Sequence, residues 1–128
     1  MRIGDAAAMA GLPVKTVRYY ADIGLVSPSR ATNGYRDYSN ADARRLGFIG
    51  RARALGFTLA ECRRLLALYE DETRASADVK AITEEHIAAL DAKMAALATL
   101  RNELASIADA CAGDASPRCP IIEHLASG

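Results

Sequence analysis

Tryptophan is absent from the chain, and cysteine and proline are scarce, with three and four residues. The aromatic residues are five tyrosines and two phenylalanines, all between Tyr19 and Tyr69. The second half must therefore bury mainly aliphatic side chains, which suits a long helix better than a globular core. A chain of 128 residues and 13.6 kDa has room for one compact domain plus an extension, and not for two full-sized domains.

Long uncharged runs are also missing. None approaches the roughly 18 residues that a membrane span needs, and Asp5 interrupts the apolar stretch at the start of the sequence. We therefore expect no secretory signal and a cytoplasmic protein. Thiols stay reduced in that compartment, so a structural disulfide between Cys111 and Cys119 is the weaker interpretation of these two residues, although it stays open.

Net charge is zero, but the two halves differ. Residues 1–64 contain eleven basic and five acidic side chains, whereas residues 65–128 contain five and eleven. A basic N-terminal half fits binding to a polyanion such as nucleic acid. Ordinary segregation of surface charge would give the same counts, so charge alone does not establish DNA binding.

Glycine and proline divide the N-terminal half into short elements. The pattern predicts a helix over residues 3–10 that Gly11 ends, then a second helix from about Pro13 to Asp22 that Gly24 ends. Two short helices joined by a tight glycine turn indicate a helix-turn-helix.

A segment rich in turn residues follows, over Leu25–Tyr38, with Asn33-Gly34 among its turn signals. It predicts a small two-stranded wing. Helical character returns after Ser39, a good N-cap, and breaks at Gly56. Thr58-Leu59-Ala60-Glu61 then has the form of a capping box that begins the next helix.

The C-terminal half is dominated by an apolar stripe. After a polar linker over Asp71–Asp78, aliphatic residues recur at three- and four-residue steps and predict a helix of about 30 residues, or roughly 45 Å. Such a helix has no core of its own, so we expect it to pair with the same helix of a second subunit. The stripe comprises Val79, Ile82, Leu90, Met94, Leu97, Leu100, Leu104 and Ile107, with one interruption at His86 and Ile87, where we place His86 at the dimer surface.

Basic and aromatic side chains are interleaved on the predicted helix-turn-helix and wing. At these positions they can reach phosphates and base edges in DNA, although a solvated basic face is the alternative. The candidates are Lys15, Thr16, Arg18, Tyr19 and Tyr20 on the second helix, Arg30, Asn33, Tyr35 and Arg36 in the wing, and Arg53 with Arg51 on the helix after it.

Cys111 and Cys119 enclose a loop of seven residues. Two soft thiolates can hold a metal ion but are too few to fill the four-ligand shell that zinc prefers, so they point first to a low-coordinate soft cation such as Cu(I). Pro120 fits the first turn of a short helix, which would favour a thiolate at Cys119 near the helix N-terminus. His124 is a weaker candidate for a third ligand.

Other roles for the thiols are less well supported. Cys62 lies between apolar and basic residues on a helix, as expected for ordinary packing. A catalytic pair of Cys119 and His124 would need a substrate pocket and an orienting acid, which the sequence does not supply. We therefore expect a protein that is not an enzyme.

Three motifs in order resemble the signatures of the MerR family of transcriptional regulators: Arg18-Tyr19-Tyr20 with Gly24-Leu25-Val26, then Asn33 to Tyr38, then Leu55 to Leu59. The segments Ala110 to Asp114 and Cys119 to Glu123 resemble the metal loop of its copper-responsive branch. The resemblance implies a mainly α protein: a winged helix-turn-helix DNA-binding domain (1–70), a linker and dimerisation helix that forms an antiparallel coiled coil (71–109), and a metal-binding loop with a short helix (110–128).

The resemblance also implies an effector. In relatives that sense divalent ions, a third cysteine comes from the start of the long helix of the other subunit, and here Ser76, a poor ligand for soft metals, stands at that position. Lys80 is placed to help neutralise the site. These positions imply one Cu(I) ion per subunit bound by Cys111 and Cys119, with Ag(I) and Au(I) as mimics.

The function that the resemblance implies is a homodimeric activator. It would sit on a promoter whose elements are separated by an overlong spacer, distort the DNA when metal binds, and so let RNA polymerase transcribe copper efflux genes. The alternative from another class is a cytoplasmic thiol redox sensor or metal-buffering protein that uses the same two cysteines.

Overall fold

The computed structural model describes residues 1–127, and Gly128, the last residue of the predicted segment 110–128, lies outside them. The chain divides into two compact units, Met1–Ile82 and a second that begins at Thr83. In chain order the elements are α1 (Ile3–Ala10), α2 (Val14–Asp22), β1 (Ser29–Arg30), β2 (Arg36–Asp37), α3 (Asn40–Ala54), α4 (Leu59–Glu70), α5 (Ser76–Asp109) and α6 (Pro120–Ala126). The predicted mainly α fold is confirmed.

Helices α1 and α2 form the predicted helix-turn-helix. Gly11 ends α1 with φ of 69°, a left-handed conformation that side chains disfavour, and the Leu12 N–H donates to the Ala7 carbonyl at 3.0 Å. Pro13 is the N-cap of α2 and has an extended backbone with ψ of 145°, so α2 begins one residue after the predicted start.

The wing is a two-stranded antiparallel sheet, as predicted. Ser29 pairs with Asp37 and Arg30 pairs with Arg36. Gly34 has φ of 84° at the tip, and its N–H donates to the Ala31 carbonyl at 2.9 Å. The short register therefore places the hairpin tip between Arg30 and Arg36.

Two capping boxes begin α3 and α4, which explains why both helices begin where the sequence predicted. The Asp42 N–H donates to Ser39 Oγ at 3.0 Å while the Ser39 N–H donates to the Asp42 carboxylate at 2.9 Å. Thr58 and Glu61 make the same exchange at 3.1 and 2.8 Å. Each box satisfies two backbone donors that the first turn of a helix leaves unpaired.

The core of the first unit collects apolar side chains from α1 through the start of α5. Cys62 is fully buried in it, which agrees with the predicted packing role, and burial raises the pKa of its thiol. The buried cluster consists of Ala6, Ala7, Val17, Tyr20, Leu25, Val26, Tyr38, Leu46, Ile49, Ala52, Phe57, Cys62, Leu65, Leu66 and Ile82.

The start of α5 differs from the prediction in two ways. The polar linker is shorter than the predicted Asp71–Asp78, because α5 already begins at Ser76. Within the linker, Asp71 accepts hydrogen bonds from the N–H and the hydroxyl of Thr73. Ile82 is buried in the core of the first unit and Val79 packs against it. These two residues therefore belong to that core and not to the exposed stripe.

The second unit contains the rest of α5 and α6. Leu90, Met94, Leu97, Leu100 and Leu104 are exposed along α5 in the single chain. His86 is only 6% exposed, so its predicted place at a dimer surface is wrong. Within residues 1–127, no helix is both long and apolar enough to span a membrane.

Candidate DNA-binding surface and metal site

One face of α2 is solvent-exposed and carries side chains that the sequence predicted to contact DNA. Arg18 and Tyr19 lie three and four residues after Lys15, all three side chains are exposed, and Tyr19 retains 50% of its surface. Thr16 is half-buried beside them. Val17 lies on the opposite face of α2 and packs in the core of the first unit. This face of α2 can therefore enter a DNA groove without disturbing the fold.

Tyr20 lies elsewhere, which corrects its predicted role. It is 6% exposed and belongs to the core cluster, and its ring centroid lies 6.0 Å from that of Tyr19. One step along an α-helix turns the side chain by about 100°, so neighbouring tyrosines cannot both face outward from the same side. Tyr20 therefore supports α2 from the core instead of contacting DNA.

An ion pair ties the wing to the end of α2. Arg36 Nη2 donates to Asp22 Oδ1 at 2.7 Å, and this partner raises the pKa of the guanidinium. On the tip side, Arg30 Nη1 donates to the Gly34 carbonyl at 2.9 Å, and Asn33 Oδ1 accepts from the Tyr35 N–H at 3.2 Å. Tyr35 itself projects with 63% of its surface exposed. Arg36 thus links the wing to the end of α2.

An arginine-rich hollow of about 550 Å³ opens between α1, α2 and the wing. Arg2 contributes to it, and its guanidinium lies 5.2 Å from the centre of the Tyr35 ring, a cation–π distance. The sequence analysis did not identify Arg2, because Arg2 and Tyr35 are 33 positions apart and no local motif predicts their contact. The lining residues are Arg2, Ile3, Arg18, Arg30, Gly34, Tyr35 and Arg36.

Arg51 and Arg53 are exposed on α3, as predicted, but Arg53 also has a structural contact. Its Nη1 donates to the Phe57 carbonyl at 2.7 Å across the turn between α3 and α4. A guanidinium has five N–H donors, so one such bond leaves others for a phosphate. The DNA-contacting role of Arg53 stays a prediction.

The two C-terminal cysteines lie side by side. Cys111 Sγ and Cys119 Sγ are 4.0 Å apart, both are free thiols, and both are half-buried. One metal ion bonded to two sulfurs at about 2.3 Å each holds them at most about 4.6 Å apart, so the gap accommodates a single ion. The pair therefore fits a soft metal held by two thiolates.

Helix α6 shapes the electrostatics at one of these sulfurs. Cys119 is its N-cap and Pro120 its first residue, as predicted. The backbone N–H of Ile122, then that of Ile121 and the Cys111 thiol, lower the pKa of Cys119, while burial and Glu123 oppose the shift. A thiolate is the form that binds metal, so the helix start prepares Cys119 as a ligand.

Among the residues that the structure describes, no third ligand joins the pair. Across residues 1–127, no three His, Cys, Asp or Glu side chains lie together as a metal cluster. His124 instead has its Nε2 3.6 Å from Glu103 Oε1 on α5. Ser76 and Lys80 are exposed near the start of α5, whereas Cys111 follows its other end. Their role beside the metal site of a second subunit stays a prediction.

Comparisons with known proteins agree with the fold and with the motifs. Residues 1–68 match the model of the MerR HTH family regulatory protein, and residues 43–107 match the MerR DNA-binding model. The transcriptional regulator HmrR of Rhizobium leguminosarum bv. viciae is 51% identical over 128 residues, covering 100% of this chain and 99% of its own. The transcriptional regulator CueR of Escherichia coli O6:H1 is 43% identical over 126 residues, covering 98% and 93%.

A solved structure extends the likeness to three dimensions. The transcription regulator PbrR691 from Ralstonia metallidurans CH34, in complex with lead(II), has a TM-score of 0.85 and 37% identity, covering 98% of this chain and 99% of its own. Family models and relatives both span the helix-turn-helix and most or all of α5. The chain therefore belongs to the MerR family of helix-turn-helix transcriptional regulators and fits its HmrR and CueR branch.

Proposed function

We propose that this protein is a homodimeric, Cu(I)-responsive transcriptional activator that binds one ion per subunit through Cys111 and Cys119. The observation that carries the proposal is the pair of thiols, 4.0 Å apart and without a third donor among residues 1–127. The same chain has an arginine-lined hollow at its candidate DNA-binding surface. Copper efflux genes would be its targets.

Coordination by two thiolates favours a monovalent ion. Two thiolates leave one negative charge around a +1 ion and none around a +2 ion, and the backbone N–H groups at the start of α6 stabilise the residual negative charge. Zn(II) prefers four ligands, and the two thiolates supply only two of them. Ag(I) and Au(I) share the charge and softness of Cu(I) and would act as mimics.

The DNA-bound state requires two chains. Leu90, Met94 and Leu97 leave an apolar stripe uncovered on α5, and its antiparallel pairing with a second α5 would bury that stripe. Ser76 and Lys80 of the second chain would then lie beside the metal site. A ligand shifts an equilibrium between two conformations only when it binds one of them more tightly. We expect the metal to bind more tightly to the dimer conformation that distorts the promoter DNA. This distortion would bring the two promoter elements, separated by an overlong spacer, into register for RNA polymerase.

The proposal can be tested by anaerobic titration and in vitro transcription with the full chain. We expect one Cu(I) per subunit, poor Zn(II) binding, and transcription induced by Cu(I) and Ag(I). Cys111→Ser and Cys119→Ser should each abolish induction. Cys62→Ser is the matched control, because Cys62 is a fully buried core thiol, and it should keep induction.

Two outcomes would contradict the proposal. Copper-induced transcription that survives Cys111→Ser and Cys119→Ser would exclude these thiols as the sensing site. Equal induction by Zn(II) would show that the site does not select its ion by charge and by the number of ligands. DNA binding by the metal-free protein should be retained in both variants, which separates loss of sensing from loss of folding.

A further inference from the structure

We propose that Cys111 and Cys119 are also a reversible thiol–disulfide exchange site, whose oxidised form cannot bind metal. The inference rests on the metal site proposed above and adds a regulation to it: the sensor would respond to Cu(I) only while this pair is reduced. The co-reactant is a small-molecule disulfide of the glutathione type.

The geometry places the two sulfurs within reach of a bond. A disulfide requires about 2.05 Å between sulfurs, so closure from 4.0 Å needs a movement of about 2 Å shared by two side chains and the loop between them. Both cysteines are half-buried and both thiols are free, so a small reagent can approach either one.

The connecting loop is suited to such a movement. Residues 112–118 are all exposed, and Gly113 has φ of 69°. The hydrogen bonds within the loop are short-range: the Ser116 N–H donates to Asp114 Oδ1 at 2.9 Å, and the Arg118 N–H donates to Ser116 Oγ at 3.3 Å. The loop can therefore adjust while the end of α5 and the start of α6 keep their backbone structure.

The reaction balances as two successive exchanges. The thiolate of one cysteine attacks a sulfur of the small disulfide, forms a mixed disulfide and releases one small thiolate. The thiolate of the second cysteine then attacks the protein sulfur of that mixed disulfide and releases the second small thiolate. Two electrons pass from the cysteines to the small disulfide, and their two protons end on the released thiols.

Metal binding and oxidation would exclude each other. The thiolate is the metal ligand, and a disulfide removes both thiolates at once. Conversely, a bound Cu(I) occupies the sulfur electron pairs that would attack the disulfide. Cys62 has no part in the exchange, because it is fully buried.

To test the inference, the full chain is incubated anaerobically with oxidised glutathione. Its free thiols are then alkylated in denaturant, and the mass of the protein is measured by mass spectrometry. We expect one alkylated thiol per chain after oxidation and three after reduction. Oxidised protein should lose stoichiometric Cu(I) binding and regain it with a reductant, and preloading with Cu(I) should slow oxidation at least tenfold. Cys62→Ser should oxidise like the parent, whereas Cys111→Ser should stop at a mixed disulfide with glutathione.

Several results would overturn the inference: three free thiols after incubation, disulfides that link two chains on a non-reducing gel, or oxidised protein that still binds one Cu(I). Failure of the proposed function gives a different pattern, since reduced protein would then not bind Cu(I) while the intramolecular disulfide still formed. The two failures are therefore distinguishable in the same samples.

Discussion

Neighbouring side chains on α2 belong separately to the core and to the candidate DNA-binding surface. Tyr19 is half exposed on the basic face, while Tyr20 packs in the core with Val17. The helical step alone produces this division, because successive side chains point in directions about 100° apart.

The two tyrosines should consequently respond to mutation in opposite ways. Tyr20→Ala should lower the free energy of unfolding by about 3 kcal/mol, since it leaves a cavity in the core. Tyr19→Ala should change it by no more than about 0.5 kcal/mol and should instead weaken DNA binding. Urea denaturation and a DNA titration at fixed salt measure the two effects. Equal losses of stability in the two variants would contradict the assignment.

Cys119 should ionise at a lower pH in the folded protein than in the unfolded chain. Its folded pKa is lowered mainly by the Ile122 N–H, so its thiolate persists as pH falls until the pH passes below the folded pKa. A Cys62→Ser, Cys111→Ser variant leaves this thiol alone and keeps the Ile122 N–H. The pH midpoint of its alkylation by iodoacetamide should be lower in buffer than in urea.

The difference in thiolate fraction at Cys119 between the folded protein and the unfolded chain has a definite pH window. It should be largest between the folded and unfolded pKa values. It should disappear well above the ordinary thiol pKa of about 8.5, where Cys119 is a thiolate in both states. The same midpoint in buffer and urea would show that the start of α6 does not stabilise the thiolate.

At the scale of elements, the boundaries of α3 and α4 follow from capping boxes. Thr58→Ala removes the side chain that accepts from the Glu61 N–H, so we expect a loss of about 1 kcal/mol in the free energy of unfolding. Thr32→Ala, at an exposed position in the wing, is the control and should change stability little. Urea denaturation of both variants tests this, and equal losses would count against the capping role.

The hollow between α1, α2 and the wing predicts a DNA-contacting role for Arg2. If Arg2 neutralises one phosphate, Arg2→Gln should weaken DNA binding and reduce the slope of log affinity against log salt by about 0.9. Arg44→Gln, an exposed α3 arginine outside this hollow, should leave the slope unchanged. A slope that Arg2→Gln does not alter would place Arg2 among purely structural residues.

Local signals account for the elements that the sequence predicted well. Gly11, Asn33-Gly34 and the Thr58–Glu61 box each act within a few residues, so their effects are readable along the chain. Contacts between distant residues were not readable. Arg2 meets Tyr35 across 33 positions, and Val79 and Ile82 continue the aliphatic period of α5 although they pack in the core of the first unit. Periodicity identifies an apolar face but not what covers it.

The candidate metal site was predictable to a similar degree. The spacing of Cys111 and Cys119 indicated a shared loop, and Pro120 indicated the helix behind it. The 4.0 Å separation of the sulfurs and the pairing of His124 with Glu103 depend on how the loop and α6 fold back, which no local pattern encodes.

At the scale of the whole molecule, the exposed stripe on α5 predicts that the chain dimerises. Leu97→Lys should place a charge in the apolar interface and shift the protein to monomers, as measured by sedimentation. Thr99→Lys is the matched control, because it introduces the same residue two positions away, about 200° around the helix. If both variants remain dimeric, the stripe is not the interface.

The position of Cys119 as the N-cap of α6 has a thermodynamic consequence. Helix α6 has seven residues, fewer than an isolated helix needs to be stable in water. In the proposed metal site, an ion bonded to both Cys119 and Cys111 would therefore hold the first turn of α6 to the residues that follow α5. Part of its binding free energy would then act to stabilise a helix that is already formed, and bound metal would reduce the fraying of α6.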